Sequence, residues 1–290
     1  MQPPDAALPA AFRAWFSARG WTPRAHQLAL LAHARRGASA LLVAPTGAGK
    51  TLAGFLPSLT EIAAHPARAR RRLHTLYISP LKALAVDVER TLDKPVAEMG
   101  IDARVETRTG DTSASKRMRQ RRDPPDILLT TPEQLELLIG SADSFHLFRT
   151  LKRVVLDELH SIVTAKRGDL LALGLARLRR IAPEATMVGL SATVRDPDEL
   201  RRWLVAQTPG HAAPMAELVI APPGAPAEIS MLDTRERLPW AGHGGAHAIM
   251  EIYERIKAAR TTLVFVNTRA QAEAIFQQLW RVNEDALAIA

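Results

Sequence analysis

The sequence contains no cysteine. That absence excludes disulfides, thiolate metal sites and cysteine nucleophiles, and it fits a reducing compartment. Any metal is then expected to arrive with a bound nucleotide. No apolar run approaches the roughly 20 residues of a helical membrane span, and Met1 to Arg19 lacks the basic-then-apolar order of a secretory signal. A cytoplasmic protein with no membrane partner is expected. What is present is an ordinary globular balance, 47% hydrophobic and 23% charged residues in a chain of 290, enough for one large or two modest domains. A formal charge of +8 points to a polyanionic partner, because a basic surface attracts phosphate backbones before specific contacts form.

One stretch organises the rest. The apolar run Leu41-Leu42-Val43 breaks into Ala44-Pro45-Thr46-Gly47-Ala48-Gly49-Lys50-Thr51. Gly47 and Gly49 allow backbone angles that let successive N–H groups curl around phosphates, and a following helix points its N-terminus at the same anion. In this pattern Lys50 reaches the terminal phosphates and the Thr51 hydroxyl ligates Mg²⁺, which makes ATP and Mg²⁺ the expected cofactors. Ala44 stands where the pattern has its first Gly, and the form A-x-x-G-x-G-K-T resembles motif I of superfamily 2 helicases.

Apolar strands are expected at Thr75 to Ser79, Asp126 to Thr130, Arg153 to Asp157 and Thr186 to Ser191, each followed by a helical pattern. This alternation predicts an α/β fold, a mostly parallel sheet with helices on both faces, in which ligands collect at the carboxyl ends of the strands. Residues suited to chemistry stand at those ends. Asp157-Glu158 closes the run Val154-Val155-Leu156, so Asp157 is expected to hold Mg²⁺ through its water shell and Glu158 to orient and deprotonate an attacking water. Lys50 completes the catalytic set.

The order of Ala44 to Thr51, Ser79 to Lys82, Thr131 to Glu133, Asp157 to His160, Ser191 to Thr193 and Leu263 to Arg269 resembles the superfamily 2 DExH helicases along almost the whole chain. Tyr77-Ile78-Ser79-Pro80-Leu81-Lys82-Ala83-Leu84, Thr107 to Thr112, Ile127 to Leu135 and Lys166-Arg167-Gly168 are similar to the Lhr (large helicase-related) branch, especially its bacterial ligase-associated members. The resemblance implies a RecA-like, P-loop NTPase fold and ATP-driven 3′ to 5′ movement on single-stranded DNA in DNA repair. Ligase and nuclease repair proteins are implied as partners. It gives Gln27, in Gly20 to Gln27, an adenine-reading role, and makes His160, Ser191, Ala192 and Thr193 the coupling residues. RNA remains an alternative partner, and a nucleotide-gated binding module without turnover an alternative of another class.

Nucleic acid is expected on the loops beyond the strands, at Ser79, Pro80 and Lys82, at Thr109, Gly110 and Asp111, and at Thr131, Pro132 and Glu133. A helix start after Thr131-Pro132 offers free N–H groups to a backbone phosphate, and such contacts read no base sequence. Lys116 to Arg122 reads as a solvated helix face, with added phosphate contacts as the alternative, and Ala67 to Arg72 as a mobile basic loop. Leu8 to Arg36 reads as helix, turn, helix.

The expected domains are an ATP-binding RecA-like domain at 1–208, a Pro-rich linker at 209–242 and an incomplete start of a second RecA-like domain at 243–290. Within the last two, Glu228 to Leu232 reads as an added strand, Ala246 to Ala258 as a helix, Thr262 to Val266 as the first strand of another sheet, and a helix starts at Arg269. The chain is expected to be a fragment that binds ATP but turns over poorly.

Overall fold

Seven strands form one sheet among the described residues, which in the computed structural model are 8–65, 71–208, 210–224, 228–232, 234 and 245–289. They are β1 (Ala40–Val43), β2 (Thr75–Ile78), β3 (Val105–Arg108), β4 (Ile127–Thr130), β5 (Arg153–Leu156), β6 (Thr186–Ser191) and β7 (Glu217–Ile220). Helices α1 (Ala10–Ala18) and α2 (Ala25–Arg35) precede β1; α3 (Lys50–Ala63), α4 (Lys82–Glu98) and α5 (Ala114–Arg122) follow β1, β2 and β3. Then come α6 (Pro132–Ile139), α7 (Ser144–Phe148), α8 (Leu159–Val163), α9 (Lys166–Ile181) and α10 (Pro197–Trp203). The sheet order is β3-β4-β2-β5-β6-β1-β7, and every pairing is parallel.

Strands covered on both faces are apolar throughout rather than alternating. Because successive side chains point to opposite faces, Leu42, Tyr77, Val155 and Leu190 pack with Phe12, Phe55 and Leu92 on one side. Leu41, Ile78, Val154 and Leu156 pack with Leu138, Leu171 and Leu175 on the other. The register is nearly level: Ile78 pairs with both Thr130 and Leu156, Arg108 with Thr130, and Val43 with Ser191. Residues just past these positions therefore share one edge of the sheet.

Four strands lie within a residue of their expected bounds. Two were not expected. In β3, Glu106, Thr107 and Arg108 are buried yet polar; Glu106 accepts from Gln120, Thr107 donates to Glu89 and Arg108 donates to Arg117 O, so no apolar run marks the strand. β7 is an edge strand in the stretch expected to be linker, bonded to β1 through Glu217 N to Ser39 O at 2.8 Å and Ala221 N to Val43 O at 2.9 Å. The first of two compact units thus reaches Ala225.

In the second unit, Pro226–Ala290, the expected helices are present as a 3-10 turn Ala246–Ala248 running into α11 (Ile249–Ala258), and as α12 (Arg269–Val282). They pack through Tyr253, Ile275 and Leu279. Glu228 to Leu232 and Thr262 to Val266, expected as strands, have no ladder partner among the described residues and are not strands. Without a neighbour a strand leaves its N–H and C=O groups to water, and nothing fixes it. Parts of the expected linker and of the basic loop at 67–72 lie outside the described residues.

Candidate functional site

β1 delivers the loop 44–49 to the sheet edge. Gly47 and Gly49 take φ of +78° and +74°, the left-handed region that only glycine enters without strain. A Cβ on Gly49 would also lie 3.2 Å from Gln27 Nε2. Three loop carbonyls are held by side chains: Lys50 Nζ donates to Ala44 O at 3.2 Å, Arg24 Nη1 to Gly47 O at 3.2 Å, and His26 Nε2 meets Ala48 O at 2.9 Å. Burial lowers the His26 pKa, so a neutral ring donates from Nε2. Arg24 and His26 brace this loop, a role the sequence did not assign to them; a cation and an imidazole at the start of α2 were the available signal.

Beside the loop, Asp157 is buried at the end of β5. Its Oδ2 accepts from Tyr77 OH at 2.5 Å and its Oδ1 from Glu158 N at 2.9 Å. Burial and the Asp157 charge both push the Tyr77 pKa up, which keeps the phenol a donor. Tyr77 stands on the neighbouring strand, and nothing in its apolar run distinguished it. Glu158 takes φ 46°, ψ 42° as it starts α8, a strained conformation for a residue with a Cβ and one that concentrates at functional sites. There Glu158 Oε1 lies 3.9 Å from Lys50 Nζ, and Oε2 lies 3.6 Å from His160 Nε2. His160 Nδ1 is 3.2 Å from Ser191 Oγ, which also bonds Ala192 O at 2.9 Å. A line of polar groups thus runs from the phosphate loop to the end of β6, where Thr193 is exposed.

A cavity of about 580 Å³ opens next to the loop, walled by Trp21, Arg24, Gln27, Gly49 and Thr51 among others. Gln27 is buried, and its Oε1 accepts from Arg24 N at 2.9 Å. Trp21 is half exposed, set edge-on to Trp15 with the Arg19 guanidinium 5.3 Å from its ring centre. Trp21 is therefore a wall of the cavity.

The remaining candidates lie on the same edge, beyond β2, β3 and β4. Lys82 and Asp111 are both exposed and pair with each other at 2.7 Å. Thr109 is turned inward, its Oγ1 accepting from Asp111 N at 3.3 Å, while Arg117 Nη2 holds Gly110 O at 2.7 Å. Ser79 is buried with Leu81 N 3.5 Å from its Oγ. Thr131 stands at the N-cap position of α6 without a side-chain capping bond, and Pro132 takes the first helical position, where its missing N–H costs nothing. Arg167, at the start of α9, ties two of these loops together, donating to Glu133 Oε1 at 2.6 Å and to Pro80 O at 2.8 Å. Burial raises the Glu133 pKa, but the Arg167 bond and charge, the residue's own backbone N–H and Thr131 together outweigh it and hold the carboxyl low.

Among the described residues no three His, Cys, Asp or Glu side chains converge as a metal cage. Thr51 and Asp157 instead offer the sparse oxygen donors that suit Mg²⁺ carried largely by waters and nucleotide phosphates.

A glycine-held phosphate loop facing an acid pair on a doubly wound parallel sheet defines a P-loop nucleotide-handling protein. A family model described as DEAD/DEAH box helicase matches residues 24–200, and the chain belongs to that family. Within it the chain is 35% identical over 289 residues to the Lhr helicase and probable uracil glycosylase of Mycolicibacterium smegmatis, covering 94% of this chain and 18% of the relative. It is 34% identical to the ATP-dependent helicase Lhr-Core of Methanothermobacter thermautotrophicus, covering 84% of this chain and 30% of the relative. The structure of Mycobacterium smegmatis helicase Lhr bound to ssDNA and AMP-PNP superposes with a TM-score of 0.81 at 32% identity, over 97% of this chain and 37% of that one. The chain thus spans less than a third of the length of these two relatives.

Proposed function

We propose that this chain is the ATP-binding part of an ATP-dependent helicase or translocase acting on single-stranded DNA. The observation that carries the reading is the continuous polar line from Lys50 through Glu158 and His160 to Ser191. Bound ATP with Mg²⁺ would supply a phosphoanhydride whose cleavage releases free energy. Around it, Gly47 to Thr51 present backbone N–H groups, Lys50 adds a cation, and Thr51 and Asp157 would hold the metal. Tyr77 fixes the Asp157 carboxylate. Glu158 accepts a proton from the attacking water at the oxygen facing Lys50. His160 touches both Glu158 and Ser191, so a change at the phosphates can pass toward Ala192 and Thr193.

Single-stranded DNA is the proposed partner because the Lhr structure holds ssDNA, and because Lys82, Thr131 and the α6 N-terminus share the edge with the phosphate loop. Movement with 3′ to 5′ polarity, a role in DNA repair, ligase and nuclease partners, ligase-associated membership and a cytoplasmic setting belong to the same proposal. The match over 97% of the chain supports reading 243–290 as part of a second RecA-like domain.

The test is a calorimetric titration with ATP and Mg²⁺. Lys50→Ala should bind about 1.5–3 kcal/mol more weakly, the scale of a lost charged hydrogen bond. Equal affinity would remove Lys50 from the site. In the presence of nucleotide a matched DNA strand should bind more tightly than its RNA counterpart; the reverse order would select RNA.

A further inference from the structure

Three loops meet at the amino edge of the sheet, opposite the phosphate loop. They precede β4, β2 and β5, which are neighbours in the sheet, and they enclose a polar cavity of about 380 Å³. Its charged lining comprises Arg71 and Arg72 from one loop, Arg122 and Asp123 from another, and His146 and Arg149 from the third. These groups are not equally engaged. Arg71 is tied to Asp102 and Asp126, and Asp123 is taken by Arg104 at 2.7 Å. Arg72, Arg122 and Arg149 are exposed and pair with no acid among the described residues. Guanidiniums gathered in a concavity without counter-charges repel one another and raise the local positive potential, which an incoming polyanion relieves.

The lining also says which polyanion. Its only aromatic ring is that of His146, with no Trp, Tyr or Phe, so it offers little of the stacking platform on which unpaired bases are usually held. A duplex keeps its bases stacked within itself and presents only phosphates. Three adjacent strands span roughly 10 Å at about 4.8 Å per step, and one strand of a duplex places a phosphate about every 3.4 Å of axis. About three such steps fit that width, so a row of cations along it can follow consecutive phosphates.

We propose that Arg72, Arg122 and Arg149 at the amino edge bind the backbone of a nucleic-acid duplex, as a site separate from the single-strand edge. From the proposed function this takes only the nucleic-acid class of partner. The variant that tests it carries Arg72→Ala, Arg122→Ala and Arg149→Ala together, all exposed. Fluorescence anisotropy with a blunt DNA duplex, a single strand and polyglutamate is read at several salt concentrations, with ATP affinity as the check of folding. The slope of log affinity against log salt for the duplex should shrink by about 3 in the variant, close to 0.9 per phosphate contact. Single-strand and ATP binding should not change. An unchanged duplex slope overturns the proposal, as does a variant that loses polyglutamate binding while keeping the duplex, which would make this a surface for an acidic protein segment. Failure of both proteins to bind single strands would count against the proposed function and leave the duplex comparison to be read by itself.

Discussion

The two ends of the carboxyl edge are built differently. Beyond β1, β5 and β6 the polar groups are buried or half-buried and reach one another across strands distant in sequence, as Tyr77 with Asp157 and His160 with Ser191. Beyond β2, β3 and β4 Ser79, Thr109 and Thr131 are buried, but the charged groups lie at the surface and are engaged in pairs, Lys82 with Asp111 and Arg167 with Glu133. The first arrangement is preorganised: each group is held before any ligand arrives, and its interactions strengthen in low dielectric. The second is electrostatic and exchangeable, since its surface pairs can be opened by a competing charge. Under the proposed function, chemistry uses the first kind of site and stepping along a strand the second.

If the nucleotide end is the rigid one, its foundations should cost most to disturb. Arg153, buried at the start of the strand that ends in Asp157, donates to Glu61 Oε1 at 2.7 Å and lies 3.1 Å from Ser58 Oγ on α3. Glu61→Gln should lower unfolding free energy by about 3 kcal/mol in chemical denaturation, the low end for a broken buried pair because Glu61 is partly exposed. Burial raises the Glu61 pKa, but bonds from His74 and Arg153 outweigh it and bring it to about 2 from 4.5. The folded value is depressed, so its stabilisation is complete above 4.5 and lost as pH falls toward 2. A wild-type stability curve flat between those values, or already falling with the Glu61→Gln slope, would break this account.

Glu158→Gln comes next. It keeps the size and loses the basic oxygen, so single-turnover ATP hydrolysis should fall by about 10²-fold with ATP affinity retained. Unchanged hydrolysis would move the base elsewhere. Tyr77→Phe removes one donor from Asp157. We expect turnover to fall by roughly fivefold to tenfold, about 1 kcal/mol, with KM for ATP within about a factor of two. A fall in stability with kcat untouched would reduce Tyr77 to packing.

The smallest effect belongs to the exchangeable end. Lys82→Ala should reduce the salt slope of single-strand binding by about 1, equally for strands of any base composition. A large or sequence-dependent loss would mean that this end reads bases, and the contrast between the two would fail.

The sequence alone determined the glycine loop, the acid pair and the parallel sheet whose carboxyl edge carries them. Those features are local: glycine spacing, a four-residue apolar run and an acid directly after it are set by neighbours in the chain. It did not reveal β3, whose buried polar side chains depend on Gln120 and Glu89, or β7, which exists because β1 has an open side. It gave no reason to single out Tyr77, His26, Arg153 or Arg167. Each of these acts on a group brought close by folding, Asp157, Ala48, Glu61 and Glu133, and a tyrosine in an apolar run looks the same whether or not its hydroxyl finds a carboxylate. For Tyr77 the level register of parallel strands decides that, because it sets the ends of β2 and β5 side by side although the two residues are 80 apart in the chain.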